Sequence, residues 1–399
     1  MPAPLIEVRH MSDRLLVRSD EYARRIDALR KCMAEQSLDA FVISDQDHFE
    51  YFTGYKSLFW ISKARPYFLV VLKESDTVMV VAAAAEAKTF SQTPELPAGV
   101  MHRQYSGFIE GAVDKVVEVL GQADLRRIAL DYGFESFGLG SLSLLDKLNA
   151  QFRAAQLLEG ADFIWPIRMI KTPAEIAQKR LTLGIAHGAF HHCLNNLTLG
   201  TTEKRFAKAL TLELIERGAD SVPWLPVRFG REDFAYSLPP SDRALAKDDF
   251  IWVDIGCCML ASTSDVNRIA KAGRVTDEEQ SIYTQVRNIT TATLSAIRPG
   301  MTGADVYGAF EAFAKQTELG LPSATASRIG HGSGRNLTEP PSIAATSKEV
   351  IHEGMIIHVE PKYEMCGGVF QLEEVAVVTK NGAEFITTLS AERFPEILL

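Results

Sequence analysis

Cysteine is scarce and follows no pairing pattern: Cys32, Cys193, Cys257, Cys258 and Cys366 are the five in 399 residues, and no CxxC occurs. That excludes a disulfide scaffold or a thiolate zinc ribbon, and fits reduced thiols in a cytoplasmic protein. Basic charge is also short. The 42 Lys and Arg stand against 51 Asp and Glu, a net charge of -9, so no basic face is expected for nucleic acid or an anionic membrane. Long apolar runs are missing. FLVVL at Phe68–Leu72 is strand-sized, against the roughly 20 residues a membrane-spanning helix needs. The opening MPAPLIEVRH has no basic segment leading into an apolar one, so no signal peptide is expected. Low-complexity tracts are absent apart from Ala82–Ala85, and no short-period repeat occurs. What remains is an ordinary globular composition, 46% hydrophobic and 23% charged, in a chain too long for one typical core, so two domains are expected.

The first part, residues 1–165, alternates helical and strand patterns. Ser19–Gln36 has helical periodicity and leads into the strand LDAFVIS; DQDHFEYFTGY then reads as a loop and turn ending at Gly54. RPYFLVVL and TVMVVAAAA read as strands joined by KESD, Gly111–Leu120 as a helix, RRIALDYG as a strand, and Ser141–Leu148 as helix again. This is the pattern of a small α/β domain. The chain changes character near Pro166, which opens the second part, residues 166–399. KTPAEI offers Thr172 as a cap, Pro173 at the first helical position and Glu175 to close a capping box. A second helix, TTEKRFAKALTLELIERG, begins with a Thr cap and ends in Gly. Strand-like pieces at Phe250–Ile255 and Ser264–Ala270, helices over Thr276–Ile297 and Gly303–Thr317, and a strand-rich end complete it.

Four segments of this second part carry ionisable groups where burial is expected. WVDIG holds Asp254, and STSDVNR holds Asp265 eleven residues later; RIGHGSG sets His331 between glycines; HVEPKYEMCGGVFQLEE holds Glu360 before a proline and Glu373 thirteen residues on. An unpaired carboxylate inside a sheet costs about several kcal/mol, and four close together repel one another. Two divalent cations shared among them remove both costs. Carboxylate oxygens with one imidazole suit Mn, Zn, Co or Fe, and a cation pair activates water and polarises a carbonyl. His187 and His191 have ligand spacing on a helix, but HGAFHHC lacks the Glu of HExxH, so they read as interhelix or surface residues. Cys257 and Cys258 read as packing residues, and His358 as a neighbour of Glu360.

The order Asp, Asp, GHGxG, GMxxxxEP, Glu resembles the creatinase, aminopeptidase P and prolidase superfamily of pita-bread metallohydrolases. SDVNR resembles its SDxTR, GMIIHVEP its GMxxxxEP, and FQLEEVAVVTKNG its RxEDxxxVTxxG; LDAFVISDQDHFEYFTGY resembles the entry to its N-terminal domain. The resemblance implies an α+β fold, with a catalytic pita-bread domain behind a smaller creatinase-like α/β domain. It implies two metal ions on Asp254, Asp265, His331, Glu360 and Glu373, with Glu360 also the proton shuttle. Glu373, rather than Glu374, takes the ligand position.

Two departures bear on the substrate. The family's peptidases carry histidines seventeen residues before the first Asp and seven after the GHG histidine; here those places are Ser237 and Thr338, and no His lies between His192 and His331. Hydroxyls are weaker donors to developing negative charge. SKARPYFLVV resembles the creatinase segment whose Arg grips a substrate carboxylate in the neighbouring subunit, which makes Arg65 a substrate-binding candidate. The expected function is metal-dependent hydrolysis of a small amide, most readily an Xaa-Pro dipeptide, by a homodimer. The alternative is a creatinase-like hydrolase or lyase acting on a small carboxylate metabolite such as a guanidino acid or osmolyte. An inactive binding protein is the third class, disfavoured by the complete ligand set.

Overall fold

The computed structural model describes residues 19–121, 124–133, 136–137, 142–231, 234–322 and 328–397. The readings of the opening segment and of Ser141 fall outside them. The chain divides into two compact units, the first ending at Arg168 and the second beginning at Met169.

In the first unit six strands form one mixed sheet, in the order Val100–Tyr105, Val78–Ala83, Phe68–Leu72, Ala40–Ile43, Arg127–Leu130, Gln156–Glu159. Alternate residues of its central strands face opposite layers. Phe41, Ile43, Leu69 and Val71 pack with Ile26, Leu29, Met33, Phe49 and Phe52. Val42, Phe68, Val70 and Val81 pack on the other side with Val113, Val116, Leu144 and Leu148. Both faces are therefore covered by helices, which is why these strands read as continuous apolar runs. One expectation is corrected. The stretch taken as a loop after Ser44 is the helix Gln46–Thr53, with the Asp45 side chain accepting from His48 N and Gly54 closing it at φ 70°. Its aromatic residues are buried, and that burial together with both caps outweighs their modest helix propensity.

The second unit has two main sheets. One runs Val227–Gly230, Phe250–Met259, Val266–Ala272, Glu396–Ile397; the other runs Glu339–Ile343, Gly330–Gly332, Ile356–Val359, Glu374–Thr379, Gly382–Phe385. Helices Pro173–Asn195 and Glu203–Glu216 share a core with Ile251, Val253, Ile255 and Val375. Helices Asp277–Ala296 and Gly303–Ala314 share another with Phe250, Trp252, Ile357 and Val378. Each fully buried side chain of this size contributes about 1.5–3 kcal/mol. The capping box at Thr172 forms as the sequence indicates, with Glu175 as its second member, and another stands at Thr276 with Glu279.

Strand Phe250–Met259 pairs antiparallel with Val266–Ala272 in a register that sets Asp254 opposite Asn267. Asp265 stands just before the second of these strands, at φ 52°. The two carboxylates are thus not ladder partners: the strand carries Asp254, and a left-handed backbone position turns Asp265 in from its end. In the other sheet His331 lies opposite His358. The glycines flanking His331 are there because the strands crowd them. A Cβ on Gly330 would lie 2.1 Å from the His358 carbonyl oxygen, and one on Gly332 would lie 2.2 Å from that of Pro340.

Candidate metal centre

Asp265, His331, His358 and Glu373 converge. All four are buried, and each offers a ligand atom within 4.8 Å of the others. Glu360 joins them from just beyond the strand Ile356–Val359, its Oε1 lying 3.3 Å from His331 Nε2, while Asp265 Oδ2 lies 3.4 Å from the same nitrogen. Asp254 stands beside this group rather than inside the tight four. Its Oδ2 accepts from Trp224 Nε1 at 2.8 Å, and its charge raises the proton affinity of both Asp265 and Glu373.

The tautomers follow from the partners. His331 Nδ1 lies 2.9 Å from the Gly332 carbonyl, which only accepts, so Nδ1 carries the proton and Nε2 presents its lone pair to the carboxylates. His358 Nδ1 donates to Glu373 Oε1 at 2.6 Å, and Asn267 N donates to Glu373 Oε2 at 2.8 Å. Glu373 is thus oriented from both sides.

Electrostatics show how costly the cluster is without a cation. Burial, and then the Glu360 charge, push Asp254 up to about 7. Burial followed by Asp254 pushes Asp265 well above the ordinary carboxylate range, and burial followed by Asp265 does the same to Glu373. Three buried atoms of this site find no hydrogen-bond partner among the described residues: Asp254 Oδ1, Asn267 Oδ1 and His358 Nε2. In the tautomer its Glu373 bond selects, His358 Nε2 is a lone pair, as the two oxygens are. Unsatisfied acceptors gathered among mutually repelling carboxylates fit a bound cation, and the hard oxygen and imidazole donor set fits a divalent one.

Two residues escaped the sequence reading. The sequence presents His358 only as a neighbour of Glu360, yet it belongs to the tight four; its register opposite His331, with the rings stacked 5.1 Å apart, depends on strand pairing. Lys179 is the second. It lies on the buried face of helix Pro173–Asn195 with Thr182, Leu183 and Ala186, and a lone Lys on such an apolar stripe was the available signal. Its ammonium donates to the carbonyls of Thr263 and Ser264 and to Ser333 Oγ, each at 2.7 Å. It therefore ties the turn before Asp265 to the segment after His331. Burial pulls this lysine down to about 8, against the opposing pull of Asp265 and Glu373.

Ser237 is exposed and Thr338 half-buried. Thr338 lies in a segment fastened by Glu339, which accepts from the Arg335 and Asn336 amides and pairs with buried Lys171 at 3.0 Å. Arg65 belongs to the first unit, its guanidinium over the rings of Phe59 and Phe108. Glu374 points away from the cluster, bonding Arg268, Thr387 and Ser390. His187 is buried 3.4 Å from Arg268, and Cys257 is buried in the core.

Known proteins resemble the chain along its length. Residues 179–380 match the model of metallopeptidase family M24, and residues 25–170 match the creatinase/prolidase N-terminal domain. The uncharacterized peptidase YqhT of Bacillus subtilis (strain 168) is 25% identical over 374 residues, covering 91% of this chain and 97% of its own. An Xaa-Pro dipeptidase of Lactobacillus delbrueckii subsp. lactis is 26% identical over 382 residues, covering 92% and 97%. Among solved structures, dipeptidase PepE from Mycobacterium ulcerans superposes with a TM-score of 0.82 at 22% identity, covering 96% of this chain and 100% of its own.

Proposed function

From its membership of metallopeptidase family M24, to which the chain belongs by the match over residues 179–380, we propose that it hydrolyses small amides, with an Xaa-Pro dipeptide as substrate. The α+β architecture is the pita-bread fold with a creatinase-type N-terminal domain. The observation that carries the proposal is the convergence of Asp265, His331 and Glu373, with Glu360 against His331 and Asp254 alongside. In this reading these five residues hold two divalent ions, manganese foremost, in a cytoplasmic homodimer.

Bound divalent metal would supply Lewis-acid polarisation of the scissile carbonyl and a readily ionised water. The chain's own groups do the rest. His331 keeps Nε2 free by donating Nδ1–H to Gly332 O, and the Nδ1–H of His358 holds Glu373 in place. Lys179 fixes the two segments that present Asp265 and His331. Glu360 suits the proton shuttle: its side chain keeps 24% of its surface exposed where those of Asp265 and Glu373 keep 5% and 1%. It thus reaches both the buried cluster and an incoming leaving nitrogen. Gln371 Nε2 donates to Glu360 Oε2 at 2.8 Å and sets its orientation. Arg65, supplied by a second copy, is one candidate for holding a substrate carboxylate.

The test is metal analysis of chelator-free protein, followed by hydrolysis of Xaa-Pro dipeptides with added Mn²⁺. Metal bound at the site, turnover of at least one such dipeptide, and its loss in Glu360→Gln are expected. Protein that binds no divalent metal, or that leaves every Xaa-Pro dipeptide intact, would refute the reading. One observation favours the creatinase-like alternative: Ser237 and Thr338 occupy the places of the substrate histidines, and Ser237 is exposed. Turnover of a small carboxylate metabolite with no peptide cleavage would establish that alternative.

A further inference from the structure

Two residues beyond Glu360, Lys362 carries a positive charge that no neighbouring acceptor satisfies. Among the described residues its ammonium makes no hydrogen bond and no ion pair; it sits over the face of Tyr236, 3.4 Å from the ring centroid. The residue is half-buried. A partly desolvated ammonium with free N–H groups is costly to keep, while an aromatic face attracts it without using up its donors.

The ring beneath it is firmly placed. The Tyr236 hydroxyl donates to Glu364 Oε1 at 2.5 Å, and its ring meets Trp252 edge-on at 4.9 Å. Trp252 Nε1 donates to Gln371 Oε1 at 2.9 Å, and Gln371 Nε2 in turn holds Glu360. Lys362 and Gln371 are cross-strand partners in the hairpin of strands Lys362–Met365 and Gly368–Gln371. One continuous set of contacts therefore links the carboxylate that faces His331 to the floor under the lysine. Glu360, Glu364 and Asp254 attract the ammonium at longer range. A cation on Glu360 and Asp254 would cancel most of that pull and leave the Lys362 charge for an incoming anion.

We propose that Lys362, on its Tyr236 floor, is the subsite that reads a free carboxylate on the substrate and so selects small acids over their amides or longer chains. This deepens the hydrolase reading above and rests on it for the bond that is cut. Three ammonium donors on a compact charge suit a carboxylate held beside the reacting centre.

The test compares Mn²⁺-loaded wild type with Lys362→Met and Lys362→Arg. Binding of matched pairs, acetate with acetamide and L-proline with L-prolinamide, is measured by calorimetry beside metal content; hydrolysis of an Xaa-Pro dipeptide is compared with that of its C-terminal amide. Wild type is expected to favour each acid by about ten- to a hundredfold. Lys362→Met should reduce that preference to within about threefold at unchanged metal content, and Lys362→Arg should keep most of it. Acid selectivity that follows Lys362 without any Xaa-Pro cleavage would support the subsite while removing the peptidase reading. A wild type indifferent to acid and amide would overturn the proposal. So would a preference that survives in Lys362→Met, which would return the role to Arg65 or the metal, or a Lys362→Met protein that loses its metal.

Discussion

Stripping the protein with chelator and titrating Mn²⁺ back by calorimetry, at about pH 6 and about pH 8, addresses the crowded carboxylates directly. In the metal-free fold, burial and Glu360 hold the Asp254 carboxyl at about 7. A cation needs the anion, so this residue's share of the affinity follows its ionised fraction, about one-eleventh at the lower pH and about ten-elevenths at the higher. That is roughly a tenfold change in Kd, or about 1.4 kcal/mol. Asp265 and Glu373 are also pushed well above the carboxylate range, and each that still holds its proton steepens the dependence. Affinity should therefore rise at least about tenfold across the interval, with close to one or more protons released per site at the lower pH, seen as enthalpies that vary with buffer. Stability has the same origin and the opposite slope. A carboxyl raised on folding contributes stability that is full below its unfolded value and is lost as pH climbs through its folded value. For Asp254 that window runs from its reference 3.8 to about 7. The metal-free protein should melt at lower temperature as pH rises through this window, and the protection given by metal should grow. Asp254→Asn, which cannot ionise, should flatten both slopes. An affinity independent of pH, with no proton release, would refute the reasoning.

Three further outcomes are expected. Asp265→Ala removes a buried ligand from the tight four, so bound metal by elemental analysis and turnover should both vanish; retention of either would show the site misplaced. Lys179→Met strands two carbonyls and the Ser333 hydroxyl inside the fold. It should lower unfolding free energy in urea by about 2–4 kcal/mol, and a loss under about 0.5 kcal/mol would deny the lysine its tying role. His358→Ala frees Glu373 Oε1 and should weaken Mn²⁺ binding by about ten- to a hundredfold; unchanged affinity would make His358 a packing residue.

How much of this was readable in advance depended on distance along the chain. Thr172, Pro173 and Glu175 announce their helix because a cap is settled within one turn. Asp254, Asp265, His331, Glu360 and Glu373 stood out because each sits in a short motif of glycine, proline or apolar neighbours. The stretch DQDHFEYFTGY reads as a loop and turn, yet Gln46–Thr53 is a helix bracketed by Asp45 and Gly54; burial of its aromatic side chains, which local sequence does not reveal, stabilises it. What Lys179, His358 and Lys362 do could not be read, because each meets partners from segments far away in sequence: Ser333 for Lys179, Glu373 and His331 for His358, Tyr236 for Lys362. Strand register decides such meetings, and it is a property of the assembled sheets.

The donors that close around the centre are strung from Asp254 to Glu373 in a chain of 399 residues. No fragment that stops short of Glu373 owns the full set. A site that needs Asp254 and Glu373 together can take up a divalent ion only after both have been made, and a product truncated before Glu373 should be recognisable by its failure to retain one.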